Sequence, residues 1–192
     1  MRSIASAANP TFKGWLRLAE QPREARAQGR ALAEGLHLAQ AALDASVLIE
    51  AVLLRHRASA DEALRLAETA IAGGAAGYEL AAPLYDRLSP VEHGAGLMLV
   101  ARVPKHPLPA MARCDMLYLD GVQDPGNVGA LLRTAAAAGI RDVFAGPATA
   151  ALWAPKTLRA GQGAQFRLHL HEQVAGAALP GLLGGEWIGA DA

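Results

Sequence analysis

The residues best placed for chemistry lie in one run, "LDGVQDPGNVGALLRTAAAAGI", residues 119–140. It reads as the end of a strand, a turn and a helix, and open α/β sheets bind ligands at that junction. Asp124, Pro125, Gly126 and Asn127 are turn and cap residues of the kind that precede many helices. The glycines do not form G-x-G-x-x-G and no Gly-Lys-Ser/Thr follows, so neither common phosphate loop is present. Arg133 is the distinctive residue. At about 100° per residue Val128, Leu131, Leu132 and Ala135 make the apolar stripe, and Arg133 shares its flank with Gly129, Ala130, Ala136 and Ala137. A cation among small side chains has room for an anionic partner. The plain alternative is an exposed arginine on an exposed face.

Two further groups have suggestive spacing. Arg23, Arg26 and Arg30 fall at i, i+3 and i+7, one face if that segment is helical, and such a row could follow a nucleic-acid backbone. It could equally be a solvated face with Glu20 and Glu24 as partners. His169 and His171 alternate along a strand and so share a side; with no third ligand in view, a solvent face is preferred to a metal pair. Trp15 and Phe12 read as core, while Trp153 beside Pro155 is either core or a stacking surface.

The elements that must position these groups follow from periodicity. Asn9-Pro10 starts a helix running to about Gln21. "ALAEG", "SVLIEAVLL" and "GAGLMLVARV" read as buried strands, and "LHLAQAALDA" and "SADEALRLAETAIA" as amphipathic helices. Pro104, Pro107 and Pro109 interrupt all periodicity, which predicts one unit over 1–105, a linker over 106–114 and a second unit over 115–192. There the expected order is strand "DMLYLDGV", helix "VGALLRTAAAAG", strand "RDVFAG", strand "FRLHLHE" and a helix near 173–183, the βαβ start of a mainly parallel sheet.

Composition narrows the classes. With 192 residues, 52% of them hydrophobic and no net formal charge, the chain is a folded α/β protein rather than a disordered one. No uncharged run reaches the ~18 residues of a membrane helix, and no signal peptide is apparent, so a cytoplasmic protein is expected. Cys114 is the only cysteine, which excludes an internal disulfide and a multi-cysteine zinc site. Fifteen of the 18 basic residues are arginine, whose planar fork suits phosphate, although codon bias gives the same result.

The run 119–140 also resembles the first motif of the SPOUT-class RNA ribose 2′-O-methyltransferases of the SpoU/TrmH type, with Asn127 and Arg133 at the motif asparagine and arginine. "KTLRAGQGAQFRLHL" is similar to the family's next segment, and "GRALAEGLHLAQAAL" and "LSPVEHGAGLMLVARV" resemble the RNA substrate-binding domain that precedes many such enzymes. The resemblance implies a small α/β RNA-binding domain followed by the first part of a Rossmann-like SPOUT (α/β knot) domain. It implies methyl transfer from S-adenosylmethionine to ribosomal or transfer RNA, with Asn127 and Arg133 catalytic and Arg23, Arg26, Arg30 and Arg159 on RNA. No metal or membrane is implied, and the complete enzyme would be a homodimer. The family's later "G-x-E-G-x-G" and "E-S-L-N" segments are not found, so the chain is expected to stop before the donor-binding knot, and no residue is assigned to the donor. Alternatives are a non-catalytic RNA-binding protein derived from such an enzyme and, less favoured, a small-molecule enzyme on a Rossmann-like sheet.

Overall fold

The computed structural model describes residues 1–57, 60–89, 91, 94–109, 115–180 and 186–190. The first unit is a five-stranded sheet made from β1 (Arg2–Ile4), β2 (Arg30–Glu34), β3 (Ile49–Arg55), β4 (Ala76–Leu80) and β5 (Leu97–Arg102), in the order β1-β4-β3-β5-β2. β1, β4 and β3 run parallel, whereas β5 is antiparallel to both β3 and β2. The central strands are covered on both faces, so Val52, Leu53, Leu97 and Leu99 are fully buried.

One face carries α1 (Pro10–Glu20), α2 (Pro22–Gln28) and α5 (Ala82–Leu88), which bury Phe12, Trp15, Leu18, Leu84 and Tyr85 against Leu32, Leu53 and Val100. The start of α1 follows the sequence: the Asn9 side chain accepts from the amides of Thr11 and Phe12, and Pro10 needs no partner for the amide it lacks. The other face carries α3 (Leu36–Asp44) and α4 (Asp61–Ala72). Four of these elements were not anticipated. β1 and β4 are too short and too poor in buried residues to show alternation, and α2 and α5 are seven-residue helices, each with a proline in its first two positions.

The second unit has three parallel strands in sequential order, β6 (Met116–Leu119), β7 (Asp142–Ala145) and β8 (His169–Glu172). The connections are α6 (Pro125–Ala137) and α7 (Pro155–Gly161), followed by a 3-10 turn at Ala164–Arg167. The helix expected near 173–183 begins later, because 173–175 is irregular and Gly176–Ala178 is a 3-10 turn; helical residues follow only at 179 and 180, and 181–185 lie outside the described residues. Cys114 also lies outside them.

The two sheets share one apolar cluster. Leu38, Ala42, Leu54 and Leu97 of the first belong to the same buried network as Val128, Leu132, Leu158 and Phe166 of the second. α7 rests against β2, and Gly163 sits so close to Ala41 that a side chain there would collide with the Ala41 methyl. Between the sheets, residues 103–109 run as an extended link without regular structure.

Candidate functional site

The carboxyl ends of β6, β7 and β8 form one rim, and local hydrogen bonds tie its loops together. After β6, Gly121 takes a left-handed conformation (φ +66°) that turns the chain toward α6. Thr149 donates its hydroxyl to Leu119 O at 2.7 Å, and the Ala150 amide donates to Val122 O at 2.9 Å, joining the β6 and β7 loops. Glu172, at the end of β8, accepts the Leu152 amide at 3.0 Å. The Asp124 carboxylate accepts the Asn127 amide at 2.7 Å, so the expected cap is formed and Pro125 occupies the first turn of α6.

Asn127 and Arg133 are both exposed on α6, and neither side chain has a hydrogen-bond or ion-pair partner among the described residues. Six residues apart, they are separated by about 9 Å along the helix axis. The apolar stripe differs from the one expected. Val128, Leu132 and Ala135 are buried, but Leu131 is 37% exposed, and its place is taken by Gly129. A Cβ on Gly129 would lie 2.6 Å from the Ala160 carbonyl carbon and the Gly161 amide nitrogen, so α7 fills the space that the small residues leave. At Gly129 the room is therefore used by a helix, whereas Ala130 and Ala137, on the same flank as Arg133, remain exposed.

The three arginines of the first unit do not form a row. α2 ends at Gln28, and Gly29 closes it in a left-handed conformation, which places Arg30 at the start of β2 instead of on the helix. Arg30 Nε lies 2.7 Å from Glu50 Oε2 without hydrogen-bond geometry, and Arg102 pairs with the same carboxylate. Arg26 reaches the other unit and pairs with Glu172 at 3.2 Å. Neither uses Glu20 or Glu24 as a partner, and only Arg23 remains exposed and unpaired among the described residues. Arg159 is exposed on α7, where its charge favours the ionised form of Glu34. Burial wins at Glu34 and raises its pKa, although the Ser89 hydroxyl donates to the carboxylate and opposes the shift.

The pair Arg26–Glu172 borders a feature the sequence did not announce, a cleft of about 620 Å³ between the two units. Arg23, Arg26, Arg87 and Lys156 line it, with Glu20 as an opposing charge. Arg87 was missed because it lies on an unanticipated helix, and Glu172 because it read only as the last residue of a strand. The one available signal for Glu172 was its position at a carboxyl strand end.

At the opposite end of the second sheet, His169 and His171 do share a side; the His169 side chain is partly exposed there as expected, whereas His171 is buried. Both approach Asp142 Oδ1, at 3.2 and 3.5 Å; His171 is 7% exposed and stacks on Phe144, while His106 of the link stacks on His169. Burial lowers the pKa of His106 and of His171. Trp153 is core, packed at a tilt against Phe166.

Comparison with known proteins decides what the strand-turn-helix belongs to: residues 116–178 match the SpoU rRNA Methylase family. This part of the chain is a SpoU methylase domain. The chain is 33% identical over 168 residues to the 23S rRNA (guanosine(2553)-2'-O)-methyltransferase RlmP of Bacillus subtilis (strain 168), an alignment covering 88% of this chain and 64% of that protein. The chain thus spans less than two thirds of that relative's length. A crystal structure of an RNA 2'-O ribose methyltransferase superposes with a TM-score of 0.70 at 28% identity, over 92% of this chain and 67% of that one. An AdoMet-bound rRNA methyltransferase from Sinorhizobium meliloti shares the fold, with a TM-score of 0.77 at 22% identity over 93% of this chain and 66% of that one. The SpoU domain and its five-stranded companion therefore occur together in a known mixed α/β arrangement.

Proposed function

We propose that this chain supplies the RNA-holding and acceptor side of a ribose 2′-O-methyltransferase that acts on ribosomal RNA. The observation that carries the reading is Arg133, an exposed and unpaired guanidinium on α6 of the SpoU domain, on the same helix as the equally unpaired Asn127. An arginine without a carboxylate keeps its full set of donors for an incoming anion.

Methylation of a 2′-hydroxyl would form an oxygen–carbon bond as the bond from the methyl to its donor breaks, with the hydroxyl proton passing to solvent water, so negative charge grows on the oxygen. Arg133 stabilises that charge and holds the adjacent phosphate; a guanidinium stays protonated in proteins and does not act as an ordinary general base. Asn127 contributes one orienting hydrogen bond. Arg23, Arg26, Arg30 and Arg159 belong to the RNA-holding side. The SpoU domain over 115–192 performs the transfer, and the unit over 1–105 holds RNA.

S-adenosylmethionine, the donor class of this reading, supplies an electrophilic methyl on a sulfonium. The described cleft does not fit it, since four cations face one free carboxylate there and Glu172 is already engaged by Arg26 and the Leu152 amide. The alternative is a non-catalytic RNA-binding protein derived from such an enzyme. Incubating the whole protein with labelled donor and ribosomal RNA separates the two: label in ribose 2′-O-methyl groups supports the enzyme, and RNA binding without label supports the second reading. The enzyme reading also includes a homodimer in the cytoplasm; sedimentation of the whole protein checks the assembly.

A further inference from the structure

The cleft between the two units has a composition that Arg133 and Asn127 do not account for. Its volume of about 620 Å³ is that of a small-ligand site rather than a duplex groove. Most of its wall is apolar and conformationally stiff, built from Pro22, Pro125, Pro147 and Pro155 with Ala150 and Ala154. Arg23, Arg87 and Lys156 are exposed at this wall, and none forms an ion pair among the described residues; Arg87 makes only a ring contact, 5.7 Å above Phe12. The fourth cation, Arg26, is held by Glu172. The cleft thus offers a low-polarity slot with unneutralised positive charge, contributed by both units.

We propose that this cleft seats one unpaired ribonucleotide of the RNA, its base against the proline and alanine wall and its flanking phosphates at Arg23, Arg87 and Lys156. Pro125 places the slot at the N-terminal end of α6, the helix that carries Asn127 and Arg133. An unpaired base suits the slot because its faces are free to lie on protein, whereas a paired base presents only its edge. The arginine planes add stacking partners as well as charge. The inference rests on the reading of the chain as an RNA-modifying protein, and it adds a second place of contact away from Arg133.

The test measures binding of a short single-stranded oligoribonucleotide to the full chain by fluorescence anisotropy across a salt series. Arg23→Ala, Arg87→Ala and Lys156→Ala together should weaken binding at least tenfold at low salt and reduce the slope of log K against log[salt] by about 2, since each single-strand phosphate contact contributes about 0.7. An oligonucleotide of the same length with abasic sites should bind about tenfold more weakly to the wild-type protein with the slope unchanged. Ala154→Phe, which narrows the slot without altering charge, should mimic the abasic result. Equal binding of abasic and intact strands, or an unchanged slope in the triple variant, overturns the proposal. A free nucleoside monophosphate binding as tightly as the strand overturns the assignment to RNA. Failure here with intact methyl transfer leaves the enzyme reading standing, and cleft binding without any methyl transfer does the reverse.

Discussion

The arginines on the strands of the five-stranded sheet and the arginine on α6 are used differently. In the five-stranded unit Arg30 and Arg102 converge on Glu50, and Arg55 closes on Asp86 with two hydrogen bonds, so these cations serve the fold. In the SpoU domain Arg133 is exposed on α6, and no carboxylate answers it among the described residues. A paired arginine has its donors satisfied, whereas an unpaired one keeps its hydration and its capacity to bind an anion. The contrast separates paired from unpaired charge, which a count of basic residues does not. Arg26 stands between the two kinds, because its partner Glu172 lies across the cleft.

The contrast is broken most severely at Arg133. On the proposed methyltransferase reading, Arg133→Ala should lower turnover by about 10²–10³-fold with a modest loss of RNA affinity, measured by methyl transfer at saturating RNA. Arg133→Lys should remain poor, because an ammonium keeps the charge without the two-pronged geometry. Wild-type turnover in Arg133→Ala would return the residue to the class of ordinary surface arginines.

Next in size are the packing residues beneath it. Leu132→Ala should cost about 2–5 kcal/mol in a denaturant melt, with activity lost only through unfolding. Gly129→Ala should cost about 1–3 kcal/mol, because its new methyl meets α7 backbone that cannot step aside. A smaller effect is expected for the paired class. Glu172→Gln should cost about 1 kcal/mol by weakening both the Arg26 pair and the Leu152 amide bond, and RNA affinity should hold or rise as Arg26 is released.

The smallest effect is a pH dependence. Burial depresses the pKa of His106 and His171 in the folded protein, so the unfolded chain takes up protons first. The stability they contribute is fully present above their ordinary value of about 6.5 and is lost as pH falls below it toward the lower folded values. Thermal melts should therefore decline between pH 7 and pH 5, and His106→Phe, which retains a ring over His169, should flatten that decline. A melt independent of pH in that window would count against the histidine cluster.

What was legible in the sequence was local. Asp124 as a cap, Asn9-Pro10 as a helix start and the continuous apolar runs of β3 and β5 are written in neighbouring residues, and the structure has each of them. Arg26 and Glu172 are 146 residues apart, so no spacing rule joins them. Leu131 matched the helical period but not the burial, because the stripe that faces the core is set by where α7 lies, and α7 itself is only seven residues long. The row of three arginines failed at Gly29, whose left-handed turn ends the helix one residue before Arg30. In the candidate site the cap and the unpaired Arg133 were readable, and the cleft was not, since it exists only where two units meet.

The seat of Gly163 against Ala41 has a consequence for how the molecule comes apart. Because the apolar network runs from Leu97 to Leu132 without a polar break between the sheets, neither can open without exposing the other's buried surface. Amide protons in β3 and in β7 should then exchange with deuterium at similar rates, as members of one cooperative block, although an extended link joins their sheets in the chain. Residues 103–109 would tether the two sheets without acting as their hinge, and the angle of the cleft would be fixed by packing before any RNA arrives.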